Sequence, residues 1–175
     1  MVDTYYQKGF KLVCLTEHMP RLNNRFLYPE EIEKSYTITN LNQDFENYLN
    51  HAKELQKKYE GKMRIVIGFE VEAINKEHIQ FAKELASKFE LMIGSIHFVK
   101  EIPIDFDKES WNKARDSLGS QRLLFKEYFK LQQQLIIELK PKVIGHFDLI
   151  RLFQDEDVDL KTWPEVGQRL ILKAI

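Results

Sequence analysis

Each of four short apolar runs in this sequence is followed at once by a side chain that can bind a metal ion. The four side chains are His18, Glu70, His97 and His146. Imidazole nitrogens and carboxylate oxygens suit zinc, iron and manganese, and a glutamate can bridge two ions. A single histidine after a strand is usually a structural or loop residue. Four such positions in succession indicate a metal site.

The segments that must position these side chains alternate between short apolar runs and longer amphipathic stretches. This alternation predicts strands at 11–15, 64–69, 91–96 and 142–145, and helices around 45–55, 79–89 and 121–139. Consecutive apolar residues, such as Ile65, Val66 and Ile67, are typical of strands covered on both faces. We therefore expect an α/β fold with a mostly parallel sheet, open or closed into a barrel, and a site at the carboxyl ends of its strands.

The composition restricts the class of protein. The 175 residues are 43% hydrophobic, which suffices for one domain, and the formal net charge of -1 favours neither nucleic acid nor an anionic membrane. No apolar stretch approaches the roughly 18–20 residues that span a bilayer, and the N-terminus lacks the apolar core of a signal peptide. Cys14 lies in an apolar run, so we expect a small buried thiol and a cytoplasmic protein.

Other polar residues lie close to the four ligand positions. Glu17 and Asp148 could accept the second ring proton of a metal-bound histidine, or could cap a helix. Glu72 would share a strand face with the glutamate two residues before it, as a second carboxylate or as a partner for a substrate amine. His51 and His78 fall within predicted helices, so we expect them at the solvent or at the helix–sheet margin, outside the site.

The segments around these residues resemble, in the same order, the motifs of the polymerase and histidinol phosphatase (PHP) family, specifically its histidinol-phosphatase branch. The matching segments are Leu15-Thr16-Glu17-His18-Met19-Pro20-Arg21, Arg25-Phe26-Leu27-Tyr28-Pro29-Glu30-Glu31, Gly68-Phe69-Glu70-Val71-Glu72, Gly94-Ser95-Ile96-His97-Phe98 and Gly145-His146-Phe147-Asp148-Leu149-Ile150-Arg151. Their combination is far more specific than any one of them. The resemblance implies a distorted, TIM-like barrel of about seven βα units. It also implies two or three divalent metal ions and hydrolysis of L-histidinol phosphate to L-histidinol and phosphate in histidine biosynthesis.

The resemblance also implies a role for each of the four ligand positions. His18 would bind one metal, Glu70 would bridge two others, and His97 with His146 would complete the site that shares Glu70. The family's first-strand His-x-His motif and last-strand Asp-x-His motif do not occur in this sequence. Only the site of Glu70, His97 and His146 would then keep three protein ligands, enough for one ion with an open position for water.

Both ends of the sequence also suggest an incomplete barrel. Residues 3–9 look like the last turn of a helix with Gly9 in the C-terminal capping position, and such a helix normally follows an earlier strand. Thr162 could cap a helix with Pro164 in its first turn, but no strand follows it. We expect residues 1–175 to form a single, incomplete PHP domain whose exposed strand edges favour self-association or weak folding.

A phosphate substrate would need cationic partners. Arg151 is the first candidate because a guanidinium can hold two oxygens at once, and Arg21 and Arg25 lie in the connection after the first strand. Ordinary surface positions or salt bridges are the alternative for all three. The segment 103–120 is either an insertion over the site or a solvated loop.

The sequence leaves three functions open. The first is a histidinol-phosphatase acting on a small phosphate ester, with neither nucleic acid nor membrane as a partner. The second is a catalytically impaired remnant or metal-binding interaction module, because the terminal motifs are absent. The third is another PHP phosphoesterase that acts on nucleic acid, although the near-neutral charge and the lack of a basic, aromatic-rich tract argue against it.

Overall fold

The structure, a computed structural model, describes residues 1–157 of the chain. The helices are α1 (Val2–Gln7), α2 (Pro29–Glu33), α3 (Ile38–Lys58), α4 (Lys76–Ala86), α5 (Lys108–Leu118) and α6 (Gln121–Leu139). The strands are β1 (Leu12–His18), β2 (Arg64–Glu70), β3 (Leu91–Gly94), β4 (Phe98–Val99), β5 (Ile102–Pro103) and β6 (Val143–Ile144). Two short 3-10 helices lie at Asn24–Phe26 and Leu149–Arg151.

Four of the strands form a parallel sheet in the order β1-β2-β3-β6, and β4 and β5 form a separate antiparallel pair. β1 and β2 pair along their whole length, from Leu12 opposite Arg64 to His18 opposite Glu70. Neighbouring strands of the parallel sheet follow the order of the chain, as in a TIM-like barrel, whereas the order reverses in a doubly wound sheet. The predicted α/β class with a mostly parallel sheet is confirmed.

The helices that cover the sheet begin at polar residues supplied by the sequence. Asn75 accepts hydrogen bonds from backbone N–H groups in the first turn of α4, and Ser120 accepts one from Leu123 at the start of α6. The apolar stripe of α6 is buried against the sheet, and its fully buried side chains include Leu124, Phe125 and Tyr128. The bounds of α6 are those predicted from the sequence.

The two faces of the sheet differ in how the described residues cover them. Side chains alternate along a strand, so Ile65, Ile67 and Phe69 share one face of β2, and all three are buried in the core beneath the helices. On β1 the opposite face is open: Cys14 is exposed and His18 lies on the same side. The expectation of a buried Cys14 is therefore wrong, because helices cover only one face of β1 within the described residues.

Other expectations about the elements were partly met. The predicted N-terminal helix is α1, and Gly9 lies just beyond its end in the left-handed region with a φ of 82°. Much of the segment 103–120 is the helix α5, whose Trp111 is fully buried. The alternative that this segment is a solvated loop is therefore wrong. The predicted cap at Thr162 lies outside the described residues. Among the described helices, none has the length and apolar character needed to cross a membrane.

Candidate metal centre

The four predicted ligand residues meet at the carboxyl edge of the parallel sheet. His18 and Glu70 are the last residues of β1 and β2 and face each other across the strand pair. His97 follows β3 and His146 follows β6, each after a few residues of connecting chain. Because the carboxyl ends of parallel strands lie at one edge of the sheet, four residues separated by up to 128 positions are brought together.

Three of these residues converge through their outermost atoms. Glu70 Oε1 lies 3.1 Å from His146 Nε2 and 3.3 Å from His97 Nε2. The two Nε2 atoms lie 3.0 Å apart. One donor atom from each residue therefore falls within 4.8 Å of the other two, which is a spacing that one metal ion can bridge. We call Glu70, His97 and His146 the outer group.

Glu72 is a residue whose importance the sequence showed only weakly. It is 1% exposed, and its two carboxylate oxygens are divided between two histidine rings. Its Oε1 lies 3.0 Å from His18 Nδ1, and its Oε2 lies 3.1 Å from His97 Nδ1. We call His18, Glu72 and His97 the inner group, which also has a spacing suitable for a metal ion. Its one sequence signal was its position two residues after Glu70.

The two carboxylates and the imidazole of His97 hold one another in their charged forms. Burial disfavours the charged form of His97, but hydrogen bonds with Glu70 and Glu72 outweigh it and raise the pKa of His97 to about 10. Burial likewise opposes ionisation of Glu70, yet its hydrogen bonds with His146 and His97 hold its pKa well below the usual range. The cluster therefore attracts positive charge.

The donor set fits a divalent metal ion. Two imidazole nitrogens only 3.0 Å apart cannot face each other favourably as two lone pairs, so a proton or another cation must lie between them or beside them. A metal ion can replace that proton, because metal binding requires the neutral imidazole and releases its proton. Two imidazoles and one carboxylate are also a ligand set known for zinc sites with an open position.

The three predicted phosphate-binding arginines have different surroundings. Arg21 is buried: its guanidinium pairs with Glu31 and lies 3.5 Å from Glu72 Oε1. Arg25 is exposed and lies 3.0 Å from Glu101. The Arg151 guanidinium lies 2.5 Å from Oδ1 of Asp157, an exposed aspartate. Of the three, Arg21 alone lines the cavity of about 690 Å³ beside the metal centre, together with His18, Glu72 and Asp105.

The two residues predicted to orient ligand histidines do not contact their rings in the described structure. Glu17 Oε1 accepts a hydrogen bond from the backbone N–H of His18 at 3.0 Å, while the ring of His18 contacts Glu72. Asp148 precedes the 3-10 helix at Leu149–Arg151, with no capping hydrogen bond from its side chain.

The two histidines excluded from the site behave differently from each other. His51 is exposed, as expected. His78 is fully buried, so the prediction of a solvent or margin position is wrong. Its Nε2 accepts a hydrogen bond from the backbone N–H of Leu22 at 3.1 Å, and its Nδ1 lies 2.8 Å from Asn75 Oδ1. His78 is buried because it shares the inward face of α4 with the apolar Ala82.

Comparisons with known proteins show which sequences and folds this chain resembles. The family model described as the PHP domain matches residues 1–173. The chain is 36% identical over 171 residues to a histidinol-phosphatase of Saccharomyces cerevisiae, covering 90% of this chain and 51% of the relative. It is 42% identical over 160 residues to a protein assigned the same activity in Schizosaccharomyces pombe, covering 90% of this chain and 52% of the relative. The chain thus spans about half the length of these relatives.

The fold is also similar to that of a solved structure. It is the crystal structure of a Listeria monocytogenes protein assigned as a histidinol phosphatase, with a TM-score of 0.74 and 23% sequence identity. The match covers 99% of this chain and 69% of the other. At this level of identity, the similarity concerns the path of the chain alone.

Proposed function

This chain belongs to the PHP family, and from that premise we propose that it acts as a histidinol phosphatase, which hydrolyses L-histidinol phosphate to L-histidinol and phosphate. The observation that carries the proposal is the convergence of Glu70, His97 and His146, with donor atoms within 4.8 Å of one another. The names of the yeast relatives supply the substrate. The proposal also includes a cytoplasmic location.

The outer group is our proposed site for a zinc, iron or manganese ion. A divalent ion held there would withdraw charge from the phosphate oxygens and lower the pKa of a water molecule to about 7. Glu72 orients one histidine ligand of the outer group. Its hydrogen bond to Nδ1 of His97 leaves Nε2 of that ring directed at Glu70 and His146. A carboxylate behind a ligand histidine fixes both the tautomer and the angle of the ring.

We place the organic part of the substrate in the cavity beside His18. A volume of about 690 Å³ lies within the range of small-molecule sites. Several carboxylates on its wall, including Glu30, Asp44 and Asp105, suit the cationic groups of histidinol. Arg21 is the arginine closest to this cavity, but its bonds to Glu31 and Glu72 must be shared or exchanged before it can hold phosphate.

The direct test is metal-dependent release of phosphate from L-histidinol phosphate. The metal-free chain would be assayed with zinc, manganese or ferrous iron, beside the variant H97Q and the control H51Q, whose histidine is exposed and lies outside the site. We expect release by the unsubstituted chain and by H51Q, and none by H97Q. Equal release by H97Q, or no release with any of the three metals, would contradict the proposal.

A metal-binding module without catalysis is the second candidate. The observation in its favour is that the His-x-His and Asp-x-His motifs, which would supply further metal ligands, do not occur in this sequence. This candidate predicts binding of a metal ion by the outer group, with no phosphate release. Measurement of metal uptake and of turnover on the same sample therefore separates the two functions. A nuclease activity would instead appear as metal-dependent cleavage of single-stranded DNA.

Self-association is a further part of the proposal. Within residues 1–157, β1 pairs with a strand on one side only, and the side chains of Leu12 in β1 and of Phe10 just before it are 46% and 48% exposed. Unpaired strand edges with apolar side chains readily pair with other chains. Light scattering of the purified chain should therefore show a dimer or larger species, whereas a monomer at all concentrations would rule this part out.

A further inference from the structure

The loop that carries His146 has little support from the sheet. Its strand, β6, has only two residues, and β6 pairs with β3 through two residue pairs. The sheet bond closest to the histidine is the one from Gly145 N to Gly94 O, at 3.0 Å. By contrast, Glu70 ends a seven-residue strand that is paired along its whole length. The position of His146 therefore depends on contacts outside the sheet.

Two polar side chains of α6 supply such contacts. Gln132 Nε2 donates to the carbonyl of Phe147 at 2.8 Å and to the hydroxyl of Tyr128 at 3.2 Å. Since Tyr128 accepts from Gln132, its own proton is directed to the carbonyl of His146, at 3.3 Å.

The burial of these two residues is unusual for their types. Gln132 is 2% exposed and Tyr128 is fully buried, on a helix face that is otherwise apolar. Burying a glutamine is costly unless its polar atoms find partners. The amide nitrogen of Gln132 has two, the carbonyl of Phe147 and the Tyr128 hydroxyl that reaches the His146 carbonyl, whereas its Oε1 has none among the described residues. A methionine or leucine would fill the same space in the core without that cost.

We propose that Tyr128 and Gln132 are positioning residues for the metal ligand His146, through the hydrogen-bonded series Gln132, Tyr128 and the His146 carbonyl. This inference rests on the proposed metal site of Glu70, His97 and His146. Together with the hydrogen bond from the backbone N–H of Leu149 to the His146 carbonyl at 3.0 Å, the pair holds the backbone at residues 146 and 147, and thereby keeps the His146 ring beside Glu70. Without the pair, the loop can move while α6 and the sheet remain in place, because the rest of that helix face packs through apolar contacts.

The test compares Y128F with Y59F in the whole 175-residue chain. Tyr59 is a matched control because it is also a buried tyrosine with a bonded hydroxyl, but its partner is Asp3, outside the metal centre. Co²⁺ is the probe, and its affinity and visible absorption spectrum are measured together with the thermal midpoint of the metal-free protein. A second variant, Q132M, removes both donors and keeps a side chain of similar length.

We expect Y128F and Q132M to weaken Co²⁺ binding about tenfold and to change the absorption spectrum. A tenfold loss is at the low end of the range for residues that support a metal ligand without binding the metal. Y59F should lower the thermal midpoint and leave affinity and spectrum unchanged. Unchanged affinity and spectrum in Y128F and Q132M would overturn this inference and leave the metal site intact. Failure of the unsubstituted chain to bind Co²⁺ would instead overturn the metal site, and this inference with it.

Discussion

Glu70 and Glu72 lie two residues apart and both contact His97, but they occupy different surroundings. The side chain of Glu70 is 17% exposed and faces the Nε2 atoms of His97 and His146. Glu72 is 1% exposed, and its oxygens are occupied by the Nδ1 atoms of His18 and His97 and by the nearby Arg21 guanidinium. Glu70 is thus accessible from the surface, whereas Glu72 is enclosed by protein, although its partner His18 is itself 49% exposed.

This contrast suggests different roles for the two carboxylates. A residue that is accessible to solvent and faces two converging imidazoles is suited to bind an ion that arrives from solution. A buried carboxylate with all of its oxygens engaged is suited to hold the rings at fixed angles. We therefore expect Glu70 to be a metal ligand and Glu72 to orient His97.

The largest effect is expected from the loss of the Glu70 carboxylate. E70Q keeps the size of the side chain but removes its negative charge, so the outer group retains only two histidine ligands. We expect Zn²⁺ affinity, measured by titration calorimetry, to fall more than about 100-fold. This loss exceeds the usual effect of changing a residue that only orients a metal ligand. The matched control is E30Q, a glutamate of the cavity wall outside both groups. Near-normal binding by E70Q would show that the outer group is not the metal site.

A smaller loss is expected from E72Q. The amide can still contact one of the two rings, but it cannot accept hydrogen bonds from both Nδ1 atoms with two oxygens. We expect Zn²⁺ affinity to fall roughly 10- to 100-fold with one ion still bound per chain. If E72Q abolishes binding while E70Q retains it, the ligands are those of the inner group.

The pH dependence of stability tests the charges that the two carboxylates maintain. The pKa of His97 is raised from 6.5 to about 10, so its contribution to stability is complete below about pH 6.5 and is lost as the pH rises through about 10. The free energy of unfolding of the metal-free chain should therefore be lower at about pH 9.5 than at about pH 6. H97Q should reduce this difference, and H51Q should retain it. A difference of the same size in H97Q would assign it to other groups.

The carboxylates produce the opposite trend at low pH. The pKa values of Glu70 and Glu72 lie below the ordinary value of 4.5, so their contribution is complete above that pH and is lost as the pH falls through their folded-state values. The contribution of the whole cluster should thus be greatest between about pH 4.5 and 6.5. The free energy of unfolding of the metal-free chain, measured at pH values below, within and above this range, should therefore be highest within it.

The smallest effect on the outer group is expected from H18Q. His18 Nε2 lies 3.9 Å from Glu70 Oε2, and its ring is held mainly by Glu72. We expect the affinity of the tightest Zn²⁺ site to fall less than about threefold, which is well under the usual effect of changing a residue that orients a metal ligand. H146Q is the comparison and should resemble E70Q. Equal losses in H18Q and H146Q would mean that one ion is shared by both groups.

Much of the metal centre could be predicted from the sequence, because the ends of parallel strands lie at one edge of a sheet. His18, Glu70, His97 and His146 each follow an apolar run, and parallel strands bring such positions to one edge. Glu72 was underestimated because its burial depends on how the chain continues after β2, which periodicity does not show. The contacts of Gln132 were not predicted either, since a glutamine on a helix carries no sign of the carbonyl that it will meet.

The errors have a common physical origin in tertiary packing. Cys14 was expected to be buried because its neighbours are apolar, but exposure depends on which sheet face the helices cover. His78 was expected at the surface because histidine is polar, but its place beside Ala82 on the inward face of α4 buries it. Local pattern predicted the elements and the strand ends well, and it failed where a distant segment decides the environment.

The most direct test of the division between Glu70 and Glu72 is nitrogen NMR of the histidine rings with and without bound cadmium. The two nitrogens of each ring give separate signals, so the spectrum shows which one binds the ion. We predict coupling of cadmium to Nε2 of His97 and of His146, with Nδ1 of His97 still protonated and bonded to Glu72. Coupling to Nδ1 of His97 and of His18 would contradict the assignment and place the ion in the inner group.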